Sequence, residues 1–522
     1  MGFLFGAFIL VVMLAGPPPS IGADKVDELY GKAVEAHWKW NLDKAVRLYT
    51  QILTTNPEHA RSYFNRGVAY RSKGEINRAL DDFNKAISID PKIVDALYGR
   101  GVILLNKKDY RKTVEDMDRV LELEPKHSGA LRIRAEALLA LDEPGKAVSD
   151  LNEALKLYPM DSEAYFLRGI GHEKEKDYER AGADFRKALE LNPKLPTAWY
   201  KLGNLSIRQK SPEKAIEYYD KAIRFDSDNA KAFNNRGWAR MLAGDLEGSI
   251  NDFTQALGLD KKFVRALENR ASVYRKLERD EEALKDYSLL LEEQPSDARL
   301  RVLRGELFLN MGKPKEAADD FDKALKEDPG VISVLDLRGQ ALILSGQHDQ
   351  GIEDLTKVIK KEPDNVRALV YRGRAYEAKK LYKKSAADFA KVLKLDPEAA
   401  SPRMYYTIGL VALRAGDFDK ALEQMNETLE KDPSFGLAYA NRGVIYRNKG
   451  EYDKAISDFQ EALTKLKKKS RISAVKGLLE QTVALKEKET KLPETRRVPE
   501  EKHPQTHRQT DETEERPPGK FW

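Results

Sequence analysis

The side chains that most often perform catalysis form no catalytic motif in this sequence. The seven histidines include no HExxH pair, and only His503 and His507 stand four residues apart, in a segment without helical periodicity. Cysteine is absent, which excludes disulfides, thiolate metal sites and thiol catalysis. There is neither a GxxxxGK[ST] phosphate loop nor a GxSxG nucleophile turn. We therefore expect no enzyme, no cofactor and no metal site.

Arginine is the polar residue with the most regular spacing. Ten arginines recur at steps of about 34 or 68 residues on helix faces that the apolar spacing marks as buried, and an aspartate follows each one 16 residues later. A guanidinium binds a carboxylate through two parallel hydrogen bonds, so we predict ten ion pairs between facing helices. The pairs are Arg66–Asp82, Arg100–Asp116, Arg134–Asp150, Arg168–Asp184, Arg236–Asp252, Arg270–Asp286, Arg304–Asp320, Arg338–Asp354, Arg372–Asp388 and Arg442–Asp458.

The arginines belong to a 34-residue repeat that occurs thirteen times, with one insertion of two residues near Ala400. Counted from each repeat start, position 8 is Gly or Ala, position 20 is small, position 24 is large and apolar, and position 32 is Pro in ten repeats. Apolar or small residues at positions 4, 8, 11, 20, 24 and 27 predict two amphipathic helices, with a turn near positions 15 and 16. The repeats start at residues 26, 60, 94, 128, 162, 196, 230, 264, 298, 332, 366, 402 and 436.

A 34-residue helical hairpin with these residue types at fixed positions resembles the repeat of the tetratricopeptide repeat family. The resemblance implies an all-α, right-handed solenoid of about thirteen helix-turn-helix repeats, with first helices lining a concave groove and second helices outside. Residues 24–467 would form the repeats, and residues 468–490 would form a helix that caps the C-terminal end. The charged, proline-rich segment 491–522 is predicted to be disordered.

The first 23 residues have the features of a signal peptide. An apolar run from Phe3 to Gly16 precedes three prolines, and the small residues Gly22 and Ala23 offer a cleavage site. The n-region carries no Lys or Arg, so an uncleaved membrane anchor and a buried helix remain alternatives. We expect an exported protein, periplasmic, secreted or lumenal, or one tethered to a membrane by this segment.

The charge distribution argues against nucleic acid as a partner. The net charge is +5, and residues 464–522 contribute 15 Lys and Arg against 10 Asp and Glu, so residues 1–463 carry no net charge. Together with the repeats, this favours a non-enzymatic scaffold that binds partner proteins or extended peptides in the groove.

The binding site is predicted where the repeat departs from its own pattern. The repeat starting at residue 196 lacks the Arg–Asp pair, and Ser227 and Lys261 replace the terminal proline of this repeat and the next. Aromatic and arginine side chains concentrate binding energy, although the rings could equally pack between neighbouring hairpins. The predicted partner-binding residues are Tyr200, Asn204, Asn234, Asn235, Trp238 and Arg265.

An alternative function is that of a co-chaperone-like adaptor that grips a C-terminal carboxylate. Family members with this role use Lys, Asn, Asn, Lys and Arg at five groove positions of three successive repeats. Here Asn204, Asn235 and Arg265 stand at three of these positions, while Tyr200 replaces the first Lys and Asn269 the final Arg. These replacements, and an N-terminus typical of export, favour the general scaffold.

Cleavage of the N-terminal segment is directly testable. Because the apolar core is short and small residues follow the prolines, we expect the native chain to begin near Asp24. N-terminal sequencing of protein from its native source measures this, and a chain that begins at Met1 or Gly2 would favour the anchor.

Overall fold

The computed structural model describes residues 24–329 and 331–490, and all regular secondary structure in these residues is helical. The predicted signal segment 1–23 and the predicted tail 491–522 lie outside them. The chain divides into an N-terminal unit that ends at Val273 and a C-terminal unit that begins at Tyr274. Each unit is described by itself below.

Helices alternate along the chain as the first and second helices of thirteen hairpins, which we number 1 to 13 in chain order. The first helices are α1 (Asp24–Trp38), α3 (Ala60–Ser72), α5 (Val94–Asn106), α7 (Ser128–Ala140), α9 (Ser162–Lys174), α11 (Pro196–Arg208), α13 (Ala230–Leu242), α15 (Val264–Lys276), α17 (Ala298–Asn310), α19 (Ile332–Leu344), α21 (Val366–Ala378), α23 (Pro402–Arg414) and α25 (Gly436–Asn448).

The second helices are one residue longer than most first helices. They are α2 (Leu42–Thr55), α4 (Ile76–Ile89), α6 (Tyr110–Leu123), α8 (Pro144–Leu157), α10 (Tyr178–Leu191), α12 (Pro212–Phe225), α14 (Leu246–Leu259), α16 (Asp280–Glu293), α18 (Pro314–Glu327), α20 (His348–Lys361), α22 (Tyr382–Leu395), α24 (Phe418–Lys431) and α26 (Tyr452–Lys465).

The last helix, α27 (Lys469–Thr490), covers the end of hairpin 13. Val475 of α27 is fully buried in a cluster with Phe459 and Ala462 of α26. The two-residue insertion before hairpin 12 accompanies a short 3₁₀ turn at Pro397–Ala399. The predicted all-α fold of helix-turn-helix repeats with a capping helix is therefore confirmed.

Each hairpin closes because a small residue on the first helix faces a large one on the second. A Cβ added to Gly169 would lie 2.6 Å from the Phe185 ring, and one added to Gly443 would lie 2.7 Å from the Phe459 ring. These separations are too short for any side chain, so glycine allows the two helices to approach this closely. This contact explains the small residue at position 8 and the large one at position 24.

The turn of every hairpin contains one residue with positive φ, always at position 15. Glycine, which adopts this conformation without strain, occupies the position in six hairpins. In the other seven the same conformation is held by a residue with a side chain, at a steric cost of about 1–2 kcal/mol each. These residues are Trp40, Lys108, Asp142, Lys176, Lys210, Glu278 and Lys380.

Nine of the predicted ion pairs are described by the structure. Nine of the ten lie within one unit, and in each of these the arginine Nε donates to one carboxylate oxygen at 2.7–2.9 Å and Nη2 to the other at 2.5–2.9 Å. The aspartate side chains are at most 10 % exposed in these pairs. The arginines thus join the two helices of one hairpin.

Each arginine makes a third contact that the sequence did not predict. Its Nη1 donates at 2.6–3.2 Å to the residue at position 25 of the preceding hairpin, which is always Thr, Ser, Asn or Asp. We call the arginine, its aspartate and this acceptor an arginine bridge. Where hairpins 6 and 12 lack the arginine, the preceding position 25 is Arg186 or Ala390, which accepts no such bond. The bridge therefore also joins successive hairpins.

Among residues 24–329 and 331–490, no helix combines the length and the apolar character that a membrane span requires.

The arginine bridge predicts that, in hairpin 11, removing one charged partner destabilises the protein more than removing both. Asp388→Ala leaves the Arg372 guanidinium without its carboxylate, and losing one partner of a buried pair costs about 3–5 kcal/mol. Arg372→Leu with Asp388→Tyr removes both charges and reproduces the Leu202 and Tyr218 combination of hairpin 6. We expect the urea midpoint to fall further in the single variant. Equal midpoints would mean that solvent screens the pair.

Candidate functional site

First helices of successive hairpins contact one another in the N-terminal unit, as α5 does with α7, α7 with α9 and α11 with α13. Side chains at positions 5, 6 and 9 of neighbouring first helices therefore meet. We call the surface that these helices share the first-helix face. The residues of the predicted site lie on α11, α13 and α15, which belong to hairpins 6, 7 and 8.

A hydrogen-bonded group of amides and phenols joins hairpins 6 and 7. Asn235 donates from Nδ2 to the Tyr200 hydroxyl at 3.0 Å and to Asn204 Oδ1 at 2.9 Å. The same Asn204 oxygen accepts from the Tyr219 hydroxyl at 2.7 Å. Burial raises the pKa of the Tyr219 phenol, so the phenol remains protonated and able to donate. Asn204 Oδ1 is thereby fully occupied as an acceptor.

The group extends along the face to hairpin 8. Asn234, which is buried, donates from Nδ2 to Asn235 Oδ1 at 3.0 Å. Asn269 donates from Nδ2 to Asn234 Oδ1 at 3.1 Å. We call Tyr200, Asn204, Tyr219, Asn234, Asn235 and Asn269 the amide network. Its hydrogen bonds link α11, α13 and α15 by side chains alone.

The structure brings four of the six predicted site residues into direct contact, and the other two lie about one helical turn from network members, Trp238 three residues after Asn235 and Arg265 four before Asn269. Tyr200, Asn204, Asn234 and Asn235 belong to the amide network, as the preceding bonds show. Trp238 on α13 is 38 % exposed, and Arg265 at the start of α15 is exposed, so both offer surface to a ligand. Tyr219 and Asn269 complete the network, and neither was among the predicted site residues.

The network has unused donors but few unused acceptors. The oxygens of Asn204, Asn234 and Asn235 all accept hydrogen bonds from network members. Among the described residues, no acceptor is found for the Asn204 Nδ2 group, and the Tyr200 hydroxyl accepts a bond but donates none. A surface that offers N–H and O–H donors suits a ligand that supplies carbonyl or carboxylate oxygens.

Part of this arrangement recurs in hairpins that were not predicted to bind. Asn65 donates to the Tyr30 hydroxyl at 2.6 Å, and Asn441 donates to the Tyr406 hydroxyl at 2.9 Å. Tyr30, Tyr200 and Tyr406 stand at position 5 of hairpins 1, 6 and 12, the three that lack the Arg–Asp pair. A tyrosine–asparagine bond to the next hairpin thus accompanies each loss of the pair.

The features specific to hairpins 6 and 7 are therefore fewer than the sequence pattern indicated. Asn204 stands at position 9, where hairpins 1 and 12 carry Val34 and Leu410. Asn234 stands at position 5 of hairpin 7, where the equivalent residues after hairpins 1 and 12 are Phe64 and Ala440. These two amides and the exposed Trp238 distinguish this part of the face.

Comparison with protein-family models identifies tetratricopeptide repeats over most of the chain. One such model matches residues 60–93. A second matches the overlapping segments 98–159, 134–196, 174–230, 234–298, 289–332, 337–400 and 406–470. A search of curated proteins gave no match.

Solved structures of repeat proteins resemble parts of the chain. YrrB, described as a TPR protein with an unusual peptide-binding site, is 28 % identical, with 35 % of this chain and 95 % of YrrB covered and a TM-score of 0.32. PilF of Pseudomonas aeruginosa is 21 % identical, with 41 % and 97 % covered and a TM-score of 0.37. The P58(IPK) TPR domain is 18 % identical, with 77 % and 99 % covered and a TM-score of 0.27.

The network predicts a larger stability loss at Asn235 than at its counterpart Asn65. Asn235→Ala removes three hydrogen bonds, and an unpaired buried polar group costs about 1–3 kcal/mol. Asn65→Ala removes one bond to Tyr30 and also removes a buried Oδ1 that has no partner among the described residues. Urea unfolding of both variants makes the comparison. An equal or larger loss in Asn65→Ala would contradict a cooperative network.

Proposed function

Because the chain belongs to the tetratricopeptide repeat family, we propose that it is a non-enzymatic interaction scaffold that binds an extended peptide segment of a partner protein on the first-helix face of hairpins 6 to 8. The observation that carries the proposal is the set of unused donors beside an exposed tryptophan. Residues on this face outside the pattern shared by the other hairpins are the ones expected to recognise a ligand.

The chemistry of the site suits an extended backbone. An extended peptide carries carbonyl oxygens along both edges, and the Asn204 amide and the Tyr200 hydroxyl can donate to them. Trp238 supplies a large flat apolar surface for a ligand side chain, and aromatic residues of this kind dominate binding energy at interfaces. Arg265 lies at the start of hairpin 8 and adds a positive charge at that end of the site.

The composition of the site supports binding rather than catalysis. Amides, phenols, an indole and a guanidinium provide no general base near neutral pH, and no nucleophile stands beside an activating group in the amide network. The network instead holds its donors in fixed positions by hydrogen bonds between three helices. Fixed donors reduce the ordering cost of binding a flexible ligand.

A C-terminal carboxylate is the alternative ligand for the same residues. Of the three positions that match the co-chaperone pattern, Asn235 already donates both of its amide hydrogens within the network. Asn204 and Arg265 alone remain to bind a carboxylate, which is two positions out of five. We therefore favour an internal peptide segment over a chain terminus.

We further propose that the partner is met outside the cytoplasm or at a membrane. This rests on the apolar segment at residues 3–16 and the small residues before Asp24. Cross-linking in the native compartment followed by mass spectrometry would identify the partner and the peptide bound.

The site is tested by measuring the affinity of that peptide for paired variants. We expect Asn204→Ala with Arg265→Ala to weaken binding by at least about tenfold, since a hydrogen bond contributes about 0.5–1.5 kcal/mol and a charged one more. The control is Arg374→Ala, an exposed arginine on a first helix of the C-terminal unit.

Two outcomes would contradict the site or its ligand. Unchanged affinity in the double variant with a loss in Arg374→Ala would move the site to the C-terminal unit. Amidation of the peptide's C-terminus separates the two ligands, because a strong loss on amidation would favour the terminal carboxylate over an internal segment.

A further inference from the structure

Arg71 is a partly buried guanidinium that lacks a counter-ion. It lies in the last turn of α3, at position 12 of hairpin 2. In the described part of the chain its side chain has no hydrogen bond and no ion pair. Burial lowers the pKa of Arg71 from its ordinary value, because removal from water disfavours the charged form. Arg66, five residues earlier on the same helix, is by contrast bonded to both oxygens of Asp82.

Beside Arg71 lies a tyrosine whose hydroxyl is also without a partner. Tyr98 occupies position 5 of hairpin 3, the position at which Tyr30, Tyr200 and Tyr406 each bind an asparagine of the next hairpin. After Tyr98 the corresponding residue is Ile133, and among the described residues the Tyr98 hydroxyl forms no hydrogen bond. Burial raises the pKa of the phenol, which therefore keeps its proton to donate.

Gly129 leaves space for the Tyr98 hydroxyl. A Cβ added to Gly129 would lie 3.0 Å from the Tyr98 hydroxyl oxygen, so a side chain there would push against the phenol. The ring itself is held by His127, with ring centroids 4.9 Å apart. The hydroxyl is thus placed by its neighbours and still available to a ligand.

The other charges near Tyr98 are largely compensated within the protein. Arg132 donates to Glu163 at 2.9 Å and lies 3.4 Å from Asp161. Arg71 on α3 and Tyr98 on α5 belong to first helices that contact each other, and the charges of Arg71 and Arg132 both lower the pKa of Tyr98 against the effect of burial. Arg71 is the member of this group whose charge has no protein partner. An uncompensated buried charge is costly, and a ligand of opposite charge would remove the cost.

Glu136 sets a limit on the ligand. It lies on α7, one first helix beyond Tyr98, and burial raises the pKa of its carboxyl group. Neighbouring first helices are about 8–10 Å apart, which corresponds to about three residues of extended chain. A run of acidic residues would bring a second negative charge to Glu136. A single carboxylate with a basic residue about three residues away fits both ends.

We propose that Arg71 and Tyr98 bind one carboxylate group of a partner peptide, with a basic residue of the same peptide near Glu136. This second site lies on hairpins 2 to 4 and rests on the proposed function of the first-helix face as a peptide-binding surface. The guanidinium donates to the carboxylate as a charge-assisted bond, and the phenol donates a second hydrogen bond.

The stability of the free protein provides the first test. Arg71→Met keeps an unbranched apolar stem but removes the uncompensated charge, so we expect the urea midpoint to stay the same or rise. The matched control on the same helix is Arg66→Met, which should lower the midpoint because Asp82 loses its partner. A fall in Arg71→Met comparable to that in Arg66→Met would overturn the proposal, since Arg71 would then be structural.

Binding provides the second test, with two phage-displayed libraries of random dodecapeptides selected on the full-length protein. One library fixes the peptide C-terminus to the phage coat and the other leaves it free. We expect the first to enrich sequences with Asp or Glu about three residues from Lys or Arg, in either order. Affinity should fall at least tenfold with Arg71→Met and less with Tyr98→Phe. Replacing the acidic residue of the peptide by its amide should weaken binding to the unchanged protein. The same replacement should cause little further loss of affinity in the Arg71→Met variant.

The outcomes separate this site from that of the proposed function. If peptides are enriched only in the library with free C-termini, the carboxylate site is supported. The bound carboxylate is then the one at the end of the peptide chain. Selected peptides that lose affinity with Asn204→Ala and Arg265→Ala but not with Arg71→Met would overturn this inference and leave the proposed function intact. Selected peptides that lose affinity with Arg71→Met but not with Asn204→Ala and Arg265→Ala would support this inference and count against the site at hairpins 6 to 8.

Discussion

The arginine bridge is the interaction on which the repeat architecture depends most visibly. A guanidinium has donors pointing in several directions from one plane, and here they serve two joints at once. Nε and Nη2 bind the aspartate of the same hairpin, while Nη1 reaches the second helix of the hairpin before it. A lysine has one nitrogen and could not span both contacts with fixed geometry. Since a single hairpin cannot bury its own apolar stripe, a side chain that closes the hairpin and also attaches it to its neighbour couples the two steps of assembly.

In each of the three hairpins that lack the Arg–Asp pair, a tyrosine at position 5 binds an asparagine of the following hairpin. The tyrosine–asparagine bonds at Tyr30, Tyr200 and Tyr406 lie on the first-helix face, whereas the bridge lies between first and second helices. The following hairpin keeps its arginine bridge at each of these joints, so the tyrosine–asparagine bond adds polar groups to the first-helix face without replacing a bridge. In hairpins 6 to 8 the bond is extended by Asn204, Asn234 and Asn269 into a network with spare donors. An additional side-chain contact between hairpins thus supplies the donors of the proposed binding site.

The sequence predicted the hairpins and the ion pairs because both follow from patterns repeated many times. It did not predict the third bond of each arginine, although the signal was present: position 25 is polar in every hairpin that precedes one of the ten arginines and is Arg186 or Ala390 before hairpins 6 and 12. A polar residue on a second helix resembles an ordinary solvent-facing residue when it is considered alone. Tyr219 was missed for the opposite reason, since its ring fills a core slot and only the structure reveals where its hydroxyl points. The positive φ at Lys108 or Lys176 was likewise hidden, because the side chain conceals a turn that glycine marks elsewhere.

Arg66 and Arg71 show why residue type alone could not locate a binding site. They lie five residues apart on one helix and carry the same side chain, but they face different neighbours. Position 7 faces the second helix of its own hairpin, where an aspartate is supplied in every hairpin that has the arginine. Position 12 faces the next first helix, where Tyr98 offers a hydroxyl but no charge. The first arginine is therefore satisfied within the fold, and the second keeps a charge that the fold penalises. On a surface where neighbouring hairpins meet, such a charge is where an anionic group of a ligand would gain most from pairing.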